Sequence, residues 1–435
     1  MKILGLDIGT TTVSAVVMEN GRVLAAETQA SHAFLPDRPV WEKAQDAAAL
    51  EALALRITDA LLARFPDVAR IGLTGQQHGI VYLDAEGQLL SPLYTWQDGR
   101  GELPYSEAQS YCARLSELTG YPLATGYGMV THFYNLQNGL VPEHAVTFCT
   151  IHDDLAMRLA GRTAPAVDPS DAASFGVYDV QHRRFDAEAL IRAGIDPNFA
   201  PAVAAEPLLG VGTRGIPVYT AIGDNQASFL GATGGEAGCM LVNVGTGSQF
   251  SVHTSDYLVR DGLETRPFPT GGYLLAGSSL CGGRAYALLE QFFRQTAQML
   301  GHPAESCYEA MAHLLDSSPA LADPAVVTPL FQGTRQNPRL RGSITNLSTD
   351  NFTPLSLLYG MMRGMADELH EMYRRSGVAG GTLYGSGNGL RRNPHLCRCF
   401  EDAFARPLLL SQNEEEAACG AALFACAMRN SYEAL

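Results

Sequence analysis

Two apolar strands, each running straight into a turn of glycine and hydroxyl residues, constrain this chain more than any other feature. Lys2–Asp7 leads into Asp7-Ile8-Gly9-Thr10-Thr11-Thr12, and Leu241–Val244 leads into Gly245-Thr246-Gly247-Ser248. Glycine lets a backbone approach a bulky anion, and backbone N–H groups and threonine hydroxyls then donate to its oxygens. One such turn is common in β proteins. Two at equivalent points of two halves imply a duplicated architecture whose turns hold one polyphosphate.

The surroundings of each turn support duplication. After the first come strands at Val13–Met18 and Val23–Glu27 joined through Asn20-Gly21, a helical stretch from Asp46 to Phe65, and a strand at Ile71–Thr74. Asn-Gly between apolar runs signals a hairpin. Three strands, a helix and a strand describe an RNase H-like lobe, whereas a Rossmann unit would alternate strand and helix from the start. A further hairpin is predicted from Ile80–Leu83 to Gln88–Leu93 through Asp84–Gly87, delivering the polar cluster Trp96-Gln97-Asp98-Gly99-Arg100. The pattern restarts with strands at Pro217–Ile222, Leu241–Val244 and Gln249–His253. At 435 residues the chain exceeds one ordinary core. The glycine-dense stretch Gly231–Gly238 therefore divides it, giving lobes 1–230 and 231–435 with a cleft between them.

Composition narrows the partners. A net charge of −15 disfavours nucleic acid and anionic membranes, which recruit clustered Lys and Arg. Lys2 and Lys43 are the only lysines, so no Walker A lysine is available and a phosphate site must use backbone and hydroxyls. The nine cysteines lack a C-x-x-C pair and read as reduced thiols, and Cys397 with Cys399 has no partner ligands to suggest zinc. No basic segment followed by an apolar run precedes Asp7, and the weakly polar run Ala417–Met428 is too short to span a bilayer. A cytoplasmic protein without a membrane partner is expected; a homodimer stays open to it.

Five motifs then fall in order: Asp7–Thr12, Thr74-Gly75-Gln76-Gln77-His78-Gly79, Gly223-Asp224-Asn225-Gln226, Asn243–Ser248 and Gly385-Ser386-Gly387-Asn388-Gly389. Together they resemble the FGGY family of carbohydrate kinases, end to end. The resemblance implies an α/β fold of two RNase H-like lobes of the actin/hexokinase/Hsp70 type, the first mainly binding sugar and the second mainly ATP with Mg²⁺. It implies a phosphotransferase with an alcohol group as acceptor. Asp224 would be the general base, a role phosphoryl transfer independently asks of a carboxylate; the plainer alternative is an N-cap at a strand-to-helix turn.

By the same resemblance Gln77, His78, Asp98 and Asn225 contact the sugar. Thr10, Thr11, Thr12, Gly245, Thr246, Gly247, Gly282, Gly283, Gly385, Ser386, Gly387 and Asn388 line the nucleotide site. Asp7 holds the metal through water, with Asp224 a second candidate ligand. Asp98 and Arg100 would otherwise be a surface pair, and Trp96 either faces the sugar or packs in the core. Relatives carry Gly-Glu-Arg where this chain has Gly333-Thr334-Arg335, which leaves the roles of Thr334 and Arg335 open. The segments 96–100, 330–333 and 342–347 look most like members acting on sedoheptulose, with D-xylulose or another ketose as the alternative. A nucleotide-driven switch of the same superfamily is the rival class, disfavoured by Gly-Asp-Asn at 223–225.

Overall fold

A computed structural model describes residues 1–428 except 213, 319, 320, 322, 335, 336 and 338. Arg335 thus lies outside the described residues. The chain divides into two compact units: 1–235 with 266–272 and 413 onward, and 236–265 with 273–412.

In the first unit, β1 (Lys2–Ile8), β2 (Thr12–Glu19) and β3 (Arg22–Ala30) form an antiparallel meander. β1 and β2 are largely apolar on both faces because both are covered, while β3 at the edge is mostly exposed. Helix α1 (Ala47–Arg64) starts at Asp46, whose carboxylate accepts from the Ala49 N–H, and buries a Leu/Ile stripe. It leads to β4 (Val68–Gly75), which pairs parallel with β1. After α2 (Ile151–Leu159) and α3 (Pro169–Ser174), β5 (Leu208–Val211) turns into β6 (Pro217–Gly223), parallel to β4. The sheet order is β5-β6-β4-β1-β2-β3. β6 runs directly into α4 (Asp224–Thr233).

The second unit repeats this plan. β7 (Met240–Val244), β8 (Ser248–Thr254) and β9 (Tyr273–Ser279) form a meander, with an edge strand that begins at Glu264 beside β9. Helices α5 (Gly283–Met299) and α6 (Pro354–Ser376) precede β10 (Leu383–Ser386), which pairs parallel with β7 and with β11 (Leu408–Leu410). The meander followed by a parallel strand beside its first strand is the RNase H-like pattern expected from the sequence.

Two local expectations resolve differently. Val81–Leu83 pairs as a strand with Thr147–Cys149, while the predicted hairpin is held by bridges at Leu83–Leu89 and Ile80–Tyr94 and by the Leu90 N–H donating to the Tyr82 carbonyl. Asp84 instead closes a tight turn by accepting from the N–H groups of Glu86 and Gln88. Gly231 lies inside α4, where glycine serves close packing: a Cβ there would stand 1.8 Å from the Glu416 carbonyl oxygen.

That neighbour belongs to a helix spanning Glu416–Ala427, half of it Ala, which packs on β1, β4 and α4. Gly5 and Gly72 accommodate it. A Cβ on either would approach the Ala418 or Ala421 carbonyl oxygen to 2.0 Å, a backbone atom unable to swing aside. Gly5→Ala or Gly72→Ala is therefore expected to cost about 3 kcal/mol, the upper range for overpacking. A lowered denaturant midpoint with an unchanged slope is the check.

Candidate active site

The parallel register aligns the carboxyl ends of three strands in the first unit. Asp7 pairs with Thr74 and Ile8 with Gly75, while Ile222 pairs with Thr74 and Gly223 with Gly75. The segments that follow, Gly9–Thr12, Gln76–His78 and Asp224–Asn225, therefore emerge side by side. Asp7 and Asp224 are both partly accessible. Burial, then repulsion from Asp224 and Glu415, pushes the Asp7 carboxyl up to about 7. Burial also raises Asp224, against Arg266 and the backbone N–H groups of Asn225 and Gln77, which favour its charged form. A carboxyl raised by a neighbouring carboxylate suits a hard, oxygen-seeking divalent cation.

The first glycine–threonine turn is wired to neighbouring loops. Thr10 Oγ1 receives the Trp96 indole N–H at 3.0 Å and donates to Gln76 Oε1 at 3.2 Å. Gln76 Nε2 donates to Gln45 Oε1 at 2.8 Å, and Gln45 Nε2 donates back to the Thr10 carbonyl at 2.7 Å. Trp96 remains substantially exposed, so its ring face is available rather than packed in the core. Thr11 is exposed, and Thr10 and Thr12 are half-buried.

Asp98 and Arg100 are a buried pair, not a surface one. Arg100 Nε lies 2.7 Å from Asp98 Oδ1, and Asp98 also accepts from the Lys43 and Arg100 N–H groups. The guanidinium stacks on Tyr94 at 4.0 Å and donates to Asn135 Oδ1. Asp98's oxygens are engaged in shaping the loop that presents Trp96. His78 sits at a φ of 72°, its ring stacked on Tyr127 with centroids 4.5 Å apart. Its Nδ1 lies 2.6 Å from the Ser174 carbonyl oxygen, which can only accept, so the proton is on Nδ1. Gln77 is buried, and its Nε2 donates to the Ser170 carbonyl and to Asp171 Oδ1.

In the second unit three glycine loops converge. Gly245 N–H donates to the Gly247 carbonyl, closing the β7–β8 turn, while Gly283 and Arg284 N–H groups donate to the Gly245 and Thr246 carbonyls. A Cβ on Gly282 would stand 2.3 Å from the Gly247 carbonyl oxygen, and one on Gly387, at a φ of 87°, would stand 2.5 Å from the Val244 carbonyl oxygen. Asn243 Nδ2 donates to the buried Ser386 hydroxyl at 2.6 Å, tying β7 to β10. Gly245, Thr246 and Asn388 stay exposed around this junction. It offers backbone and hydroxyls with no lysine, as the composition required.

The motifs passed over one set of residues: His152 on α2, with Asp168, Ser170 and Asp171 at the start of α3. All are buried behind Asp224. Asp168-Pro169 was readable as an N-cap followed by proline, and Asp168 does accept from the Ser170 N–H. Nothing in the sequence linked it to His152. Among the described residues no helix is long and apolar enough to cross a membrane.

Comparison with known proteins agrees with this geometry. The chain is 27% identical to the sedoheptulokinases of Mus musculus and Homo sapiens, over 97% of its length and 96% of theirs. It is 25% identical to the xylulose kinase of Escherichia coli over 84% of this chain and 77% of that one. Its fold matches the crystal structure of xylulose kinase from Rhodospirillum rubrum with a TM-score of 0.81 at 23% identity, covering 98% of this chain and 90% of the other. Plasmodium falciparum glycerol kinase with ADP matches with a TM-score of 0.80 at 16% identity, covering 100% and 91%. Residues 2–231 match the N-terminal domain, and residues 240–429 the C-terminal domain, of the FGGY family of carbohydrate kinases. With both domains in order and both sheets of the actin/hexokinase-like type, the chain belongs to the FGGY family and is a sugar kinase.

Proposed function

We propose that this kinase transfers the γ-phosphoryl group of ATP to sedoheptulose, giving sedoheptulose 7-phosphate, with Asp224 as general base. The observation that carries the substrate is similarity to two sedoheptulokinases over nearly the full length of all three chains. The first unit would bind mainly the ketose. His78, with its tautomer and ring held, Asn225 and the Trp96 face would meet the polyol, and Asp98 would act by shaping the Trp96 loop. The second unit would hold mainly the nucleotide, through Gly245–Gly247, Gly282-Gly283 and Gly385–Asn388, with Thr10–Thr12 of the first unit donating to phosphate.

In the chemical step a sugar hydroxyl oxygen bonds to the γ-phosphorus as the bond to the ADP oxygen breaks. The hydroxyl proton passes to Asp224. A base of ordinary carboxylate strength suffices because the nucleophile loses its proton late in a loose transition state. Mg²⁺, held by Asp7 through water with Asp224 as a further ligand, would neutralise phosphate charge. The partly accessible Asp7 and Asp224, with Asp224 raising the proton affinity of Asp7, fit that ion.

Two outcomes are expected. Coupled ADP release with ATP and Mg²⁺ should favour sedoheptulose over xylulose, ribulose, fructose and glycerol, and Asp224→Ala should lower turnover at least about 100-fold while staying folded. Preference for xylulose would reassign the substrate; sugar-independent ATPase insensitive to Asp224 would reject the mechanism. The second outcome concerns stability. A carboxyl raised from 3.8 to about 7 binds its proton more tightly when folded, so its contribution is full below pH 4 and is lost as pH rises through 7. Asp7→Asn, melted without metal or nucleotide, should therefore gain on wild type between pH 5 and pH 8. Parallel melting curves would show that Asp7 is not so perturbed.

A further inference from the structure

Behind Asp224 lies a group of buried polar side chains that substrate contact does not explain. His152 and Asp171 are fully buried, and His152 Nε2 stands 3.0 Å from Asp171 Oδ2. His152 Nδ1 has no hydrogen-bond partner. Burial keeps the imidazole neutral, and its one proton belongs on Nε2, facing a carboxylate oxygen rather than an empty wall. Asp171 then accepts on both oxygens: from His152 on Oδ2, and from Gln77 Nε2 on Oδ1 at 3.4 Å.

Each further link follows from donor and acceptor type. With its NH₂ turned toward Asp171 and the Ser170 carbonyl, Gln77 points its Oε1 at Asn225 Nδ2, 3.5 Å away. Asn225 Nδ2 also faces Asp224 Oδ1 at 3.2 Å. Neither amide can flip without setting NH₂ against NH₂ or oxygen against carboxylate.

Two glycines leave room for the chain of contacts. A Cβ on Gly75 would stand 2.7 Å from His152 Nδ1, and one on Gly223 would stand 1.9 Å from Gln77 Nε2. The turn itself is fastened from the same side: Ser170 Oγ accepts the Gly223 N–H at 3.0 Å and donates to Asp168 Oδ1 at 2.6 Å. His152, Asp153 and Asp171 also lie close enough to share a metal ion. However, Asp153 Oδ2 already caps α2 through Thr150, and His152 Nε2 is spent on Asp171.

We infer that His152, Asp171 and Gln77 are positioning residues for the phosphoryl-transfer step, forming a buried relay that turns the Asn225 amide toward Asp224 Oδ1 and holds that carboxylate in one orientation. Gln77 on this view sets the base and does not bind sugar. The inference rests on Asp224 being the base.

The test compares steady-state sugar-dependent ADP release by wild type, Gln77→Glu, His152→Leu, His152→Gln, the double variant Gln77→Glu/His152→Leu, and Asp224→Ala, with the melting temperature of each. Gln77→Glu keeps the shape but places oxygens against Asp171 and the Ser170 carbonyl. His152→Leu removes the donor, and Gln at 152 can donate from near the Nε2 position. The relay predicts that Gln77→Glu and His152→Leu each lower kcat about 10- to 100-fold while KM for sugar and ATP moves less than about threefold. The double variant should be little worse than either alone, and His152→Gln should recover most of the loss. A raised sugar KM at unchanged kcat in Gln77→Glu would make Gln77 a sugar contact and overturn the relay. Equal losses in His152→Leu and His152→Gln that track melting temperature would overturn it in favour of packing. Wild-type turnover by Asp224→Ala would remove the base assignment itself, and the relay with it.

Discussion

The parallel register of β1, β4 and β6 is the constraint on which the rest of the first unit depends. Pairing Asp7 with Thr74 and Thr74 with Ile222 ends three strands at one level. Asp7, His78, Asp224 and Asn225, proposed for metal, sugar and proton transfer, lie within a few residues of that edge. A slip of one residue in β4 would turn each side chain to the opposite face and separate Gln77 from the β6–α4 turn. The core thus carries positional information for the site as well as stability, and its full burial on both faces removes the freedom to slip.

Electrostatics adds a second layer. Asp7, Asp153, Asp168, Asp171 and Asp224 lie within one unit of an already acidic chain, and burial raises the proton affinity of all five. Such a cluster costs folding free energy unless protons, donors or cations answer it. The donors are distributed accordingly: Asp153 faces Thr150, Asp168 faces Ser170, and Asp171 faces His152 and Gln77. Asp7 and Asp224 are the two of the five that open to solvent.

Much of this was legible in the sequence because it is encoded locally. Strand-turn-strand patterns at 2–18 and 241–253 specify both meanders, and Asn393-Pro394 marks a helix start that the Asn393 side chain does cap. Gly-Asp-Asn at 223–225 marks a strand-to-helix junction, as found. What was not legible depends on distant pairing. The partner of Val81–Leu83 comes from Thr147–Cys149, so no hairpin signal near Asp84 could reveal it. The burial of Arg100 depends on Tyr94 and Asn135, and His152 meets Asp171 only because α2 and α3 pack on β6. Resemblance supplied a role for Gln77 from its place in a motif; its Nε2 bonds to the Ser170 carbonyl and Asp171 come from α3, which the motif does not include.

The helix at Glu416–Ala427 joins the first unit after the whole second unit has been traversed, and glycines let it rest against the β1 and β4 backbones. On the ribosome, where chains emerge at about 5–20 residues per second, the first unit's sheet must wait with one face uncovered until residues 416–427 have been made. The nascent amino-terminal region is therefore the part that most needs protection from aggregation. A fragment cut at residue 235 would expose the same apolar face permanently.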